Sequence, residues 1–235
     1  MIELRSVEKR YGNIQALQSI SFTVAEGEFF ALLGPNGAGK TTIIRILLDF
    51  TRPTSGSAWV HGIPSHNADA RKYIGYLPEN MKLPSYLSGR SFLRQQAGLS
   101  GIDGRKAAVA VDKFIELVGM KERGGHPAGT YSKGMLQRIG LAAALIAHPR
   151  ILILDEPTTG LDPVGIREFR QILERVKLDR VTVLLNSHIL SEVEKLCSSA
   201  AILNKGAIVV KDEIGKLVDD TSTLEDVFVK YVGAG

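Results

Sequence analysis

The stretch "FFALLGPNGAGKTT" (residues 29–42) decides how the rest of the chain is read. An apolar run ends at Gly34, and the pattern G-x-x-x-x-G-K-[ST] then passes through Gly34, Gly39, Lys40 and Thr41. The run predicts a buried strand, and "KTTIIRILLDF" (40–50) predicts the helix that follows it. A strand, a glycine-rich turn and a helix in that order form a cradle for phosphate. Gly34, Gly37 and Gly39 accept backbone angles and close approaches that a side chain blocks. Backbone N–H groups then turn inward on the phosphates at the helix N-terminus. Lys40 is expected to reach the β/γ-phosphates of a nucleotide, and the Thr41 hydroxyl to ligate Mg²⁺. The rest of the loop, Asn36, Ala38 and Thr42 included, is counted with the nucleotide-binding residues.

Downstream, "ILILDEP" (151–157) supplies four apolar residues and then Asp155 and Glu156. A carboxylate at a strand end beside a phosphate loop can hold the Mg²⁺ water shell, the role expected of Asp155. Glu156 is the candidate general base that polarises an attacking water. "YIGYLP" (73–78), "TVLLNSH" (182–188) and "AAILNKG" (200–206) read as further strands. Continuous apolar runs, rather than strict alternation, predict strands covered on both faces and a mostly parallel sheet flanked by helices. "NKGAIVV" predicts a hairpin turn with Gly206 at positive φ. The first 30 residues and "GSAWVHG" (56–62) predict an antiparallel edge sheet.

Between Glu79 and about Ala144 helical patterns take over. In "AAVAVDKFIELVGM" (107–120), Val109, Val111, Phe114, Ile115 and Val118 are expected on one face. The chain is therefore expected to be one domain over 1–235. An α/β core lobe spans 1–78 and 145–235, and a helical subdomain is inserted at about 79–144.

Composition sets the broad class. Among 235 residues, 44% are hydrophobic and 23% charged, as in ordinary globular proteins, and the net charge of +4 is mild. The single cysteine, Cys197, excludes an internal disulfide and is expected in the core. "MIELRSVEKRYG" lacks the apolar centre of a signal peptide. "IGLAAALIA" is cut short by "HPR", well below the roughly 18 residues of a membrane span.

A second glycine-bearing turn, "YSKGMLQR" (131–138), opens an apolar helix. It resembles the signature sequence of ATP-binding cassette (ABC) ATPases, L-S-G-G-Q followed by x-Q-R. Ser132, Gly134, Gln137 and Arg138 are kept, with Tyr131, Lys133 and Met135 at variable points. "GLAAALIAHPRILILDEPTTGLDP" follows directly, as in that family, and the resemblance covers nearly the whole chain. It implies a P-loop NTPase (RecA-like) α/β core with an antiparallel β edge sheet and an inserted α-helical subdomain.

The resemblance also assigns roles. Tyr11 matches the aromatic that stacks on adenine, with Ala16 nearby; an aromatic simply packed in the edge sheet is the alternative. Asp162 in "TTGLDP" matches a dimer-contact loop, and His188 in "NSHIL" a histidine that contacts the γ-phosphate. Glu79 in "YLPEN" stands where many members carry glutamine, and as a carboxylate it can ligate Mg²⁺ or its water. Ser132 is a good N-cap, so its helix presents free N–H groups and partial positive charge. In the family that end, here Ser132, Gly134 and Met135, meets the γ-phosphate held by a second copy or homologue, so two chains sandwich two ATPs.

The implied protein is an ATP-hydrolysing subunit, cytoplasmic and peripheral on the inner face of the membrane, driving transport through an integral membrane permease subunit. "LPSYLSGRSFL" (83–93) is the candidate lining for that partner. The alternative is a soluble ABC ATPase acting on nucleic acid or ribosomes. Such relatives typically carry coiled-coil insertions or two nucleotide loops; this chain has neither, so no nucleic-acid partner is expected. "STLEDVFVKYVG" (222–233) reads as a capping box at Ser222 and Glu225 opening a short amphipathic helix. With "YLPE" and "SKGM", that ending resembles exporter subunits of the ABC-2 type.

Overall fold

A computed structural model describes residues 1–219 and 221–233. Its centre is a six-stranded sheet in the order β10-β9-β3-β8-β7-β6. These strands are β3 (Phe29–Leu33), β6 (Ile74–Leu77), β7 (Ile151–Asp155), β8 (Thr182–Asn186), β9 (Ser199–Asn204) and β10 (Ala207–Glu213). All neighbours pair in parallel except β10, which returns antiparallel on β9. The turn between those two places Lys205 and Gly206 at φ 47° and 82°, the left-handed angles of the expected hairpin.

The apolar runs are continuous because both faces of this sheet are covered. Phe29, Ala31 and Leu33 enter one core, while Phe30 and Leu32 enter the other. Leu152 and Leu154 likewise part from Ile151 and Ile153. On the second face lie α1 (Lys40–Leu47) and an antiparallel sheet in the order β2-β1-β4-β5. Its strands are β1 (Ile2–Tyr11), β2 (Ile14–Val24), β4 (Ser55–Val60) and β5 (Ile63–Pro64). The helix after the glycine-rich loop is shorter than expected. It stops at Leu47 because Asp49 turns left-handed (φ 60°) and Phe50 N–H returns to the Arg45 carbonyl at 2.8 Å.

The first face carries the helices between β6 and β7: α2 (Gly89–Leu99), α3 (Gly104–Leu117) and α4 (Lys133–Leu145). On α3 the buried stripe is Ala107, Ala110, Val111, Phe114 and Ile115, spaced i, i+3, i+4, i+7, i+8. Val109 does not belong to it. It lies two residues, roughly 200° of helix, from Val111 and is 64% exposed. Helix α4 packs directly on β6, where a Cβ added to Gly75 would stand 2.1 Å from the Ala144 carbonyl oxygen.

The same face receives α5 (Pro163–Leu178), α6 (Leu190–Leu196) and, past α7 (Ile214–Leu217), α8 (Leu224–Val232). The capping box of α8 is Thr223 with Asp226, one residue later than the pattern Ser222–Glu225 suggested. Ser222 is engaged elsewhere: its hydroxyl donates to Asp219 Oδ1 at 2.9 Å. Thr221 and Ser222 together hold the Asp219 carboxyl down at about 2. Among the described residues no helix is long and apolar enough to cross a membrane.

Two outcomes are expected. Gly75→Ala forces a methyl against backbone that cannot rotate away, and urea denaturation should show a loss of about 1–3 kcal/mol with an unchanged m-value. Cys197 is buried, and burial pushes its thiol up to about 12. It should resist disulfide reagents at pH 8 in the native protein and react once the chain is unfolded.

Candidate nucleotide site

Four adjacent strands, β3, β8, β7 and β6, run parallel and end at the same edge of the sheet. Ligand sites of such sheets lie outside the carboxyl ends of the strands. Here β3 delivers the glycine-rich loop, β7 Asp155, β8 Asn186 and His188, and β6 the segment that carries Glu79.

A cavity of about 200 Å³ is lined by Ala16, the loop residues Asn36 to Thr42, Glu79, Asp155, Glu156 and Asn186. A second, of about 470 Å³, holds Gly34, Thr159, His188 and Phe228. Asn36, Glu79 and Glu156 belong to both walls, so the two spaces are neighbours. At the start of α1, Gly39 stands at φ 109°, and a Cβ there would lie 2.6 Å from Leu17 Cδ2 and 2.8 Å from the Ala16 carbonyl oxygen. Glycine is the residue that lets the loop close against β2.

Lys40 is 7% exposed, and its ammonium donates to the carbonyls of Gly34 and Pro35 at 2.5 and 3.0 Å. Burial lowers its pKa, while Glu156 and Asp155 across the cavity oppose that shift. Phosphate oxygens would replace neutral acceptors with charged ones, which make hydrogen bonds roughly twice as strong. Asp155 is buried at the end of β7, and its Oδ1 accepts from Asn186 Nδ2 at 2.6 Å across the parallel pair Asp155↔Asn186. No cluster of three His, Cys, Asp or Glu side chains converges among the described residues. Thr41, Asp155 and Glu79 supply a hydroxyl and two carboxylates, oxygen donors of the kind a hard cation takes, around one cavity.

Glu156 sits at φ 49°, unusual for a residue other than glycine. Its N–H donates to the Asn186 carbonyl at 2.9 Å, and Thr159 Oγ1 donates to its Oε2 at 3.3 Å. His188 Nδ1 lies 2.6 Å from the same Oε2, a contact in which an Nδ1–H donates to the carboxylate. Such backbone strain costs on the order of 1–3 kcal/mol and persists only where the surroundings hold it. Here it turns the carboxylate into the cavity.

The other expected residues lie apart. Tyr11 is 41% exposed at the end of β1, with Lys9 Nζ 4.9 Å from its ring centroid, and lines neither cavity. Ser132 caps α4, its Oγ accepting from Met135 N–H at 3.2 Å. Asp162 caps α5 through Gly165 N–H at 2.7 Å. These two helix starts are neighbours. A Cβ on Gly160 would meet Lys133 Nζ at 2.7 Å, and one on Gly134 would meet Leu161 Cδ2 at 3.6 Å. Ser132, Gly134, Met135 and Asp162 thus form a second patch, outside both cavities.

Two participants escaped sequence reasoning, and a third, Gln137, enters it only as a kept position of the signature. Asn186 gives no motif signal beyond ending an apolar run two residues before His188. Buried Gln137 donates to the Glu79 carbonyl at 2.7 Å and so ties α4 to the cavity wall. Phe228 arrives from α8, far along the chain.

Residues 17–159 match the family model described as ABC transporter. An uncharacterized ABC transporter ATP-binding protein of Nostoc sp. is 42% identical over 89% of this chain, which spans 63% of that relative's length. The lantibiotic transport ATP-binding protein SrtF of Streptococcus pyogenes is 36% identical over 97% of this chain and 96% of its own. A solved structure of an ATP-binding subunit of an ABC transporter superposes with a TM-score of 0.88 at 26% identity, covering 98% of this chain and 99% of the other. The chain belongs to the ABC transporter family, among its ATP-binding proteins.

Proposed function

We propose that the chain is the ATP-hydrolysing subunit of an ABC-2 type exporter, working in the cytoplasm against a separate membrane-spanning chain. The observation that carries the reading is the meeting of Lys40, Asp155, Glu156 and His188 at the ends of β3, β7 and β8. Lys40 binds the β/γ-phosphates with a fixed positive charge. Asp155, Thr41 and Glu79 hold Mg²⁺, which when bound neutralises charge developing on the transferred phosphoryl group. Glu156 orients the attacking water and accepts its proton. His188 holds Glu156 through Nδ1, and with both ring nitrogens protonated its Nε2–H would donate to a phosphate oxygen. Tyr11 and Ala16 receive the adenine.

The patch of Ser132, Gly134, Met135 and Asp162 serves a second copy or a homologue. Its N-capped helix end carries positive potential, and α4 supplies no anion of its own in its first turn. A γ-phosphate presented by a partner supplies that anion. ATP then favours a closed dimer that ADP cannot hold, because only ATP brings the terminal phosphate. Transport is supported by the lantibiotic transport relative, whose length the chain nearly matches, and the outward direction follows the ABC-2 resemblance. The segment 83–93, with Tyr86 exposed beside the Glu79 region, is the surface offered to the membrane chain.

Glu156→Gln should bind ATP as the native chain does, hydrolyse it about 10²–10⁴-fold more slowly, and accumulate as an ATP-dependent dimer on size-exclusion chromatography. Turnover at the native rate would remove Glu156 from the role of base. In vesicles carrying the complex with its membrane chain, ATP supplied on the side of this subunit should move cargo away from that side. Movement toward the ATP would make it an importer.

A further inference from the structure

The α8 helix reaches the catalytic cavity although it lies far from every motif in sequence. Its start is firmly set: Thr223 N–H donates to Asp226 Oδ2 at 2.8 Å, and Leu224 N–H donates to the Glu194 carboxylate on α6. Leu224 and Val227 are buried, and α8 packs on α6 and β9. Phe228 follows Leu224 by one helical turn and stands at the edge of this buried stripe. There it is half-buried and lines the cavity of about 470 Å³ together with Glu156, Thr159, His188 and Leu190. It is the one phenyl ring in that wall among the described residues. On the other side of the helix Val229 faces solvent.

The pair that needs support is His188 and Glu156. The His188 side chain is 61% exposed, yet its Nδ1 keeps a 2.6 Å contact with Glu156 Oε2. In water such a bond competes with solvent and contributes little. An apolar wall on one side removes competing water and narrows the orientations open to the imidazole. We infer that Phe228 is a positioning residue for hydrolysis, narrowing the cavity in which His188 stays engaged with Glu156. Helix α6 begins two residues after His188, and α8 packs on α6 and bonds its Glu194. The inference rests on the catalytic reading above and adds to it a role for the C-terminal helix.

The test uses the full chain carrying Phe228→Ala or Phe228→Leu, with Val229→Ala as a surface control. Phe228→Ala should lower kcat about ten-fold and leave KM for ATP within about two-fold, whereas Phe228→Leu should recover most of the loss. In protein labelled with ¹⁵N-histidine, the His188 Nδ1 resonance, identified by its loss in His188→Gln, should shift toward that of a freely exchanging imidazole in Phe228→Ala. If the alanine variant does not fold, Phe228→Gln should show the same kcat loss and shift. Native kcat, an equal loss in kcat and rise in KM, or an unmoved His188 resonance would each overturn the inference. The two levels separate cleanly. Fast turnover in Glu156→Gln sinks the catalytic reading, whereas slow Glu156→Gln beside native Phe228→Ala sinks only the role of Phe228.

Discussion

A buried ammonium facing two carboxylates organises this molecule. Lys40 is nearly excluded from solvent, held by two carbonyls of its own loop, and looks across a narrow space at Asp155 and Glu156. Burying a charge is costly unless it is paired and hydrogen-bonded. The fold meets that cost by ending three parallel strands side by side, so that each hands one polar group to the same space. The Asp155–Asn186 contact shows how strictly this depends on register. Slipping β8 by one residue against β7 would turn the amide to the opposite face of the sheet.

That register is held by two cores rather than one. Alternate residues of each strand go to opposite faces, and both faces are closed, by helices on one side and by α1 with the antiparallel sheet on the other. The closures are tight where they approach the site. Gly75 lets α4 lie on β6, and Gly140 faces Leu77 and Met81 from the same helix. Helix α4 thereby joins the Glu79 segment through Gln137 and carries Ser132 at its N-terminus, little more than one turn away. A shift of that helix moves a cavity wall and the separate helix-start patch together.

The strained Glu156 and the exposed His188 mark where rigidity gives way. Strain at Glu156 is tolerated because Asn186, Thr159 and His188 each hold part of it. His188 has fewer supports, and Phe228 of α8 shares its cavity wall. The side of the cavity nearest solvent therefore depends on the element that folds onto the sheet last in chain order. A parallel sheet needs such long-range closures, since its strands cannot be joined by short turns.

Much of this was legible in the residues alone. The glycine-rich loop, the strand ending in Asp155 and Glu156, and the hairpin at Gly206 are local signals, each set by backbone angles or by a run of like side chains. The same locality explains the misplacements. Val109 looked apolar enough for the buried stripe, and helical phase put it outside. Ser222 and Glu225 satisfied the pattern of a capping box, but Asp219 had already taken the serine. What only the tertiary structure decided is which distant groups meet: Asn186 with Asp155, Gln137 with Glu79, Phe228 with the His188 wall. Sequence determines what each residue can bond and how its own turn of chain bends. Which partner lies within 3 Å across dozens of residues is set by how helices and strands pack, and that depends on every core residue at once.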